Sequence, residues 1–286
     1  MANNQQIETK QFDAAAAQYD KVTGDCTRDV AKQLLALPQL LASSPCSILD
    51  AEAAVILDSA CGTGIVAEEI LALQPNARIA AVDAGPKMVQ MAQSKPSLAA
   101  PNVTFGVMPG EKLDFPDDTF THSITNFGML FYKSAADGAR ELYRTLKPGG
   151  VAVVTSWSYI GYLEAIQATQ QDARPQDEPF KLPASEEWFD PSHVEHVMKA
   201  DGGFQHVEIL TCKAHFGAAT KDELVDIMIA FLRNILWSSL PEDGQEAFKE
   251  AVKRHFPPRA VPFTMIDGRP GFGYPLEAIV AVCRKD

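Results

Sequence analysis

Short apolar runs alternate with amphipathic stretches through the first half of the chain. Val55–Asp58, Arg78–Asp83, Val103–Met108, Thr121–Asn126 and Val151–Ser156 each read as a strand, the first, second and fifth of them rich in Val, Ile, Leu or Ala. Between them, residues 65–74, 86–93 and 135–146 carry apolar side chains at helical spacing. Strand–helix alternation of this kind predicts a parallel sheet covered by helices on both faces.

Either side of that region the pattern changes. Residues 9–40 read as helical with a turn at "VTGD", and "ASSPCS" leads into the first strand. Residues 160–200 are mixed, broken at "ARPQDEPFKLP", with a short helix near 192–200. A long strand runs from His206 to Phe216. Residues 221–256 are helical, with a wide apolar face of Leu224, Val225, Ile227, Met228, Phe231, Leu232, Ile235 and Leu236, which suits core packing. After the loop "FPPRAVPFTMIDGRPGFGYP" comes a last strand, Glu277–Arg284. The expected organisation is one α/β domain over 1–286. It comprises an N-terminal lid to about 45, a ligand-binding core over about 50–157, an insertion at 160–200, a helical cover at 220–256 and a closing strand at 277–284.

Composition narrows the function. Hydrophobic residues make up 46% of the 286, enough for a substantial core. A net charge of −12 argues against nucleic acid, which draws on clustered Lys and Arg. No apolar run is long enough to span a bilayer, and "MANNQQIETK" has neither a basic nor an apolar targeting segment. The five cysteines, Cys26, Cys46, Cys61, Cys212 and Cys283, include no C-x-x-C pair. A cytoplasmic chain with reduced thiols, no membrane partner and a small-molecule substrate is the expectation.

The candidate chemistry lies in "VILDSACGTGIVAEEI", which passes from strand through a small-residue loop into a helix. Gly62, Gly64 and Ala67 fit the dinucleotide pattern G-x-G-x-x-G/A loosely, so a nicotinamide cofactor stays open. Asp58 before the loop favours a ligand carrying both an ammonium and a carboxylate. Loop amides and the helix N-terminus would meet the anion and Asp58 the cation. Asp83 closes the second strand 19 residues after Gly64, where an acid accepts from ribose hydroxyls in either cofactor class. "LKPGG", Leu146–Gly150, suits a type II turn after a helix.

With "AAVDAGPKMV", "GEKLDFPDDTF", "THSITNFGML" and "ELYRTLKPGGVAVVTSW", this stretch makes the chain resemble the class I S-adenosylmethionine-dependent methyltransferases over about residues 10–160. The resemblance implies a Rossmann-like seven-stranded sheet with helical cover insertions and S-adenosyl-L-methionine as cofactor. It also implies roles for individual residues. Asp58, Ala60 and Gly62 would hold the methionine portion, Asp83 the ribose, and Ala84 and Met88 would flank adenine. Asn126 and Phe127 would lie beside the sulfonium, and Tyr19 in "FDAAAAQYD" would fold over the cofactor. Where relatives carry a "GDAE"-like string this chain has Met108-Pro109-Gly110-Glu111. Proline cannot make the adenine contact, which leaves backbone groups near Gly110 and Glu111. "THSITNFGML…GARELYRTLKPGG" with "GYPLEAIVAV" also resembles small fungal thiomethyltransferases of secondary metabolism.

Methyl transfer needs alignment and exclusion of water, and a thiol acceptor needs little help from a base. No base is evident at the open end of the sheet, since His122 begins the fourth strand. Phe127, Phe131, Tyr132, Trp157, Tyr159, Tyr162, Trp188 and Phe189 are candidates for an aromatic substrate wall, although about half of such a set is expected to be core. His193 and His196 lack a third ligand, so no metal is expected. Cys61 reads as a small buried filler and Asp117-Asp118 as a turn. Two alternatives stay open: a cofactor-binding protein that catalyses a rearrangement without methyl transfer, and a non-catalytic interaction subunit.

Overall fold

A computed structural model describes residues 23, 25–42, 45–182, 184–237 and 240–286. Among them, β1 (Val55–Ser59), β2 (Arg78–Asp83), β3 (Val103–Val107), β4 (Phe120–Thr125) and β5 (Leu146–Ile160) lie parallel. β8 (Pro270–Arg284) runs antiparallel between β5 and β6 (His206–Ala218), and the short β7 (Val261–Thr264) pairs with the start of β8. The order is β3-β2-β1-β4-β5-β8-β6. Chain order reverses between β1 and β4, and in an open α/β sheet that reversal leaves a crevice at the carboxyl ends of the strands.

The alternating side chains of the strands feed two apolar cores, one on each face. Ile56, Ile79, Ile124, Val153 and Val280 face one layer. It is built from α1 (Cys26–Leu35), α3 (Ile65–Leu73), α4 (Pro86–Ser94), α6 (Leu163–Ala173), α8 (Lys221–Leu232) and α9 (Glu242–His255). Leu57, Val82, Val154 and Ile279 face α5 (Ala135–Thr145) and α7 (Pro191–His196). A one-turn helix, α2 (Pro38–Leu41), follows α1. Helix starts follow local chemistry: Ser134 and Thr220 accept from the third helical N–H of α5 and α8 at 3.1 Å, and Asp190 caps α7 ahead of Pro191.

Four elements differ from the sequence expectation. Strand β5 begins at Leu146 and takes in all of "LKPGG", with Gly149 at φ 77° falling where the pairing with β4 shifts register between Leu146 and Val151. Helix α6 lies in the stretch read as mixed. The stretch read as one helical segment divides into α8, continued by a π turn over Arg233–Trp237, and α9, which begins directly after Pro241. The expected loop before the last strand contains β7 and the first six residues of β8. There Pro275, which has no N–H to donate, sits between the end of pairing with β5 at Leu276 and the start of pairing with β7 at Gly273.

Candidate cofactor site

The loop after β1 is pinned from below by backbone bonds. Cys61 N–H donates to the Val82 carbonyl at 2.9 Å, and Gly64 N–H donates to the Cys61 carbonyl at 2.8 Å. Ala60, Gly62 and Gly64 all take positive φ (55°, 54° and 83°). For Ala60 that conformation is strained, as is common where a backbone is shaped for a ligand. The two glycines differ in purpose. A Cβ on Gly64 would meet Leu98 Cδ1 at 2.5 Å, so it serves packing, whereas one on Gly62 would meet nothing within 4 Å and faces open space.

Two carboxylates flank this loop. Asp83 staples it to the loop after β2: Oδ2 accepts Gly62 N–H at 2.9 Å and Oδ1 accepts Gly85 N–H at 2.8 Å. Asp58 is 1% exposed. Its Oδ2 accepts Ala67 N–H at 3.2 Å, from the first turn of α3, while Oδ1 is buried without a hydrogen-bond partner. Burial pushes its pKa up to about 8, the charge of Asp83 pushes the same way, and the Ala67 N–H opposes both. A carboxyl left like this is expensive in the free protein and is ready for a cation.

Residues 56–150 match the family model described as "Methyltransferase domain". The chain is 37% identical over 106 residues to the ubiquinone/menaquinone biosynthesis C-methyltransferase UbiE of Geotalea daltonii, an alignment covering 36% of this chain and 45% of that protein. It is 24% identical over 204 residues to the malonyl-[acyl-carrier protein] O-methyltransferase of Bacillus cereus, covering 71% and 72%. Among solved structures, the [4+2]-cyclase SpnF superposes with a TM-score of 0.58 at 16% identity, over 100% of this chain and 97% of that one. The chain thus spans less than half of the UbiE relative, and the SpnF likeness shows the fold.

Residues 56–150 therefore carry a methyltransferase domain of the class I type.

The cofactor of this family is S-adenosylmethionine, and the residues present fit it. The unpartnered Asp58 Oδ1 is the acceptor an ammonium requires, the open side of Gly62 gives room for the tail, and Asp83 sets a carboxylate at the end of β2 beside this loop. Beyond Asp83, Ala84 is exposed and Met88 buried, and Met108 N–H donates to the Asp83 carbonyl at 2.9 Å, drawing the loop after β3 alongside.

Other candidates occupy positions the sequence did not suggest. The Glu111 carboxylate accepts Lys133 N–H at 2.8 Å, which ties the loop after β3 to the one after β4. Gly110 is buried against Tyr132: a Cβ there would lie 2.0 Å from the phenol oxygen. Tyr132, expected on the substrate wall, points its hydroxyl at Ser59 Oγ, 3.2 Å away. Burial pushes that phenol well above its usual range, so it stays protonated.

Phe127 sits at φ 57°, its ring stacked on Trp157 with centroids 3.9 Å apart and planes at 14°. Phe131 is half-buried in the turn Met129–Phe131, and Tyr159 is 52% exposed beyond Trp157. Trp188 and Tyr162 are core: Trp188 packs on His193, and Tyr162 on Phe216 and Tyr274. Tyr19 lies outside the described residues.

His122 is buried in β4, its Nδ1 2.9 Å from Thr121 Oγ1, with burial lowering its pKa to about 4. Cys61, within the loop, is buried, and burial raises its thiol pKa. Among the described residues no group of three His, Cys, Asp or Glu could hold a metal ion, and no helix is long and apolar enough to cross a membrane. Sequence reasoning missed Ser59 and Thr155. Each is a small hydroxyl residue in an apolar strand, and only its neighbours give it meaning.

Proposed function

We propose that this chain transfers a methyl group from S-adenosylmethionine to a thiol or hydroxyl of an apolar, ring-bearing small molecule. It would do so as a single domain of about residues 1–286. Asp58 would balance the methionine ammonium, Ala60 and Gly62 would shape the turn around the tail, and Asp83 would take the ribose hydroxyls. Ala84 and Met88 would bound the adenine from one side, and the Gly110–Glu111 backbone from the other. The bound cofactor supplies a methyl on a positively charged sulfur, so transfer is an in-line displacement that needs alignment and dryness more than acid–base help.

The observation that carries the proposal is the buried, unpartnered oxygen of Asp58 beside the open side of Gly62. For the acceptor, support comes from the aromatic pair Phe127 and Trp157 and from the groups bonded beside it, Asn126 and Thr155, none of which takes a proton near neutral pH. His122 is sequestered in mid-sheet and cannot serve as the base. A thiol, with an unperturbed pKa near ~8.5, ionises without one. The likeness to small fungal thiomethyltransferases points to the same acceptor class and to a specialised metabolite. Names of the relatives, which specify C-methylation in ubiquinone/menaquinone biosynthesis and O-methylation of malonyl-[acyl-carrier protein], support methyl transfer to diverse acceptors.

The test is incubation with methyl-labelled cofactor and a panel of aryl dithiols, phenols and amines. Label in thiol or hydroxyl products is expected. Tight binding of S-adenosylhomocysteine with conversion to a product of unchanged mass would instead make the chain a rearrangement catalyst.

A further inference from the structure

The Asn126 side chain is tied at both ends. Its Nδ2 donates to the carbonyl of Thr27, in the first turn of α1, at 3.1 Å. Its Oδ1 accepts from the Thr155 hydroxyl at 2.9 Å, and that hydroxyl accepts from Phe127 N–H at 2.8 Å. A backbone carbonyl can only accept, so Nδ2 must face Thr27 and the amide orientation is fixed. The chain of bonds therefore starts on α1, crosses the end of β4, passes through β5 and stops on the backbone of Phe127.

Phe127 is a bulky residue at φ 57°, a conformation costing of order 1–3 kcal/mol and kept only when its surroundings impose it. Two things impose it here: the bond to Thr155 and the flat stack on Trp157. Thr155 is fully buried, and Thr27 and Phe127 nearly so, which leaves no easy path for water to replace a lost bond. The far end of the chain is anchored as well. Arg28, next to Thr27, bridges Glu68 and Glu69 of α3, the helix into which the loop after β1 leads.

We propose that Asn126 and Thr155 are positioning residues forming a latch between α1 and the Phe127–Trp157 ring pair. Docking of α1 fixes the Phe127 backbone, and through it the aromatic surface at the β4–β5 end of the crevice. The part of this that concerns an acceptor rests on the methyltransferase function; the latch itself does not. Ordinary local hydrogen bonds would behave differently, because cutting one would loosen the end of β4 and leave α1 alone.

Hydrogen exchange of the full chain, followed over residues 26–35 and 124–131 with and without S-adenosylhomocysteine, separates the two. Thr155→Val keeps the side-chain shape and removes both roles of the hydroxyl, while Thr155→Ser restores them. Asn126→Asp still accepts from Thr155 but no longer donates to Thr27. Thr155→Val and Asn126→Asp are expected to speed exchange in both segments together, by about three- to tenfold, the worth of a typical net hydrogen bond. Thr155→Ser is expected to match the wild type. Ligand should protect both segments in the wild type and only 124–131 in Thr155→Val. Loosening of 124–131 alone in either disrupting variant, or Thr155→Ser behaving like Thr155→Val, would overturn the latch. If the wild type binds no S-adenosylhomocysteine, the methyltransferase function fails, while the ligand-free comparison still decides the latch.

Discussion

Replacing Asp58 by Asn should raise the stability of the free protein and weaken cofactor binding at the same time. In the folded chain burial keeps this carboxyl protonated up to about pH 8, whereas in the unfolded chain it ionises at the ordinary aspartate value near ~3.9. Unfolding at neutral pH therefore releases a proton, so rising pH favours the unfolded state. The penalty is absent below about pH 4, grows by ~1.4 kcal/mol per pH unit, and levels off above about pH 8. At pH 7 it amounts to roughly 4 kcal/mol, to order of magnitude.

The Asp58→Asn substitution would remove that penalty and would leave the new amide N–H groups unpartnered, at a cost of about 1–3 kcal/mol. A net gain of about 1–3 kcal/mol follows, seen as a rise in Tm of ~2–4 °C per kcal/mol for a chain of this size. The same change deletes the negative charge offered to the ammonium, a charge-assisted contact worth about 1.5–3 kcal/mol, or roughly ten- to hundredfold in Kd. The assays are thermal unfolding of the free protein from pH 4 to 8 and calorimetric titration with S-adenosylhomocysteine. The variant should be the less stable protein near pH 4, by the cost of its unpartnered amide, cross the wild type between about pH 5 and 6, and gain on it toward pH 8. A variant that is less stable at pH 7, or one that binds the ligand undiminished, would refute the assignment of Asp58.

Three further outcomes are expected. Gly110→Ala places a methyl 2.0 Å from the Tyr132 oxygen and 2.3 Å from Cζ; it should destabilise by about 1–3 kcal/mol in urea unfolding, and pairing it with Tyr132→Leu should recover part of the loss. Because burial lowers the pKa of His122 to about 4, stability is intact above about pH 6.5 and falls as acid protonates the unfolded chain. His122→Gln should remove up to roughly 3 kcal/mol of that acid-side loss between pH 6.5 and 4, read from urea midpoints. Arg28→Ala leaves Glu69 without its closest cation and Glu68 with Lys95; about 1–2 kcal/mol of stability should be lost, less in high salt, in a denaturant series at two ionic strengths.

The parallel half of the sheet is legible because short strands alternate with helical stretches, and β1, β2 and β5 leave dense runs of Val, Ile, Leu or Ala. The run Arg78–Asp83 coincides with β2, and those for β1, β3 and β4 agree within about one residue at either end. The β7–β8 hairpin is not legible, because Pro270, Gly271, Gly273 and Pro275 imitate a loop. Only the gap between β5 and β7 makes room for Pro275 inside a strand. Helix α6 is hidden by its run of Gln and Asp residues, which carries little apolar periodicity. At the site, Asp58 and Asp83 stand out because carboxylates at the ends of apolar strands are conspicuous. Asn126 and Tyr132 are visible in the sequence, but as residues expected to touch ligands. Their partners, Thr27, Thr155, Ser59 and Gly110, come from distant segments that no local pattern links.

Titration calorimetry of the wild-type chain with S-adenosylhomocysteine and, separately, with NAD goes straight to the crevice between Asp58 and Asp83. One-site heat from the sulfur nucleoside and none from the dinucleotide is expected. Heat from NAD with none from S-adenosylhomocysteine would contradict the assignment of this site.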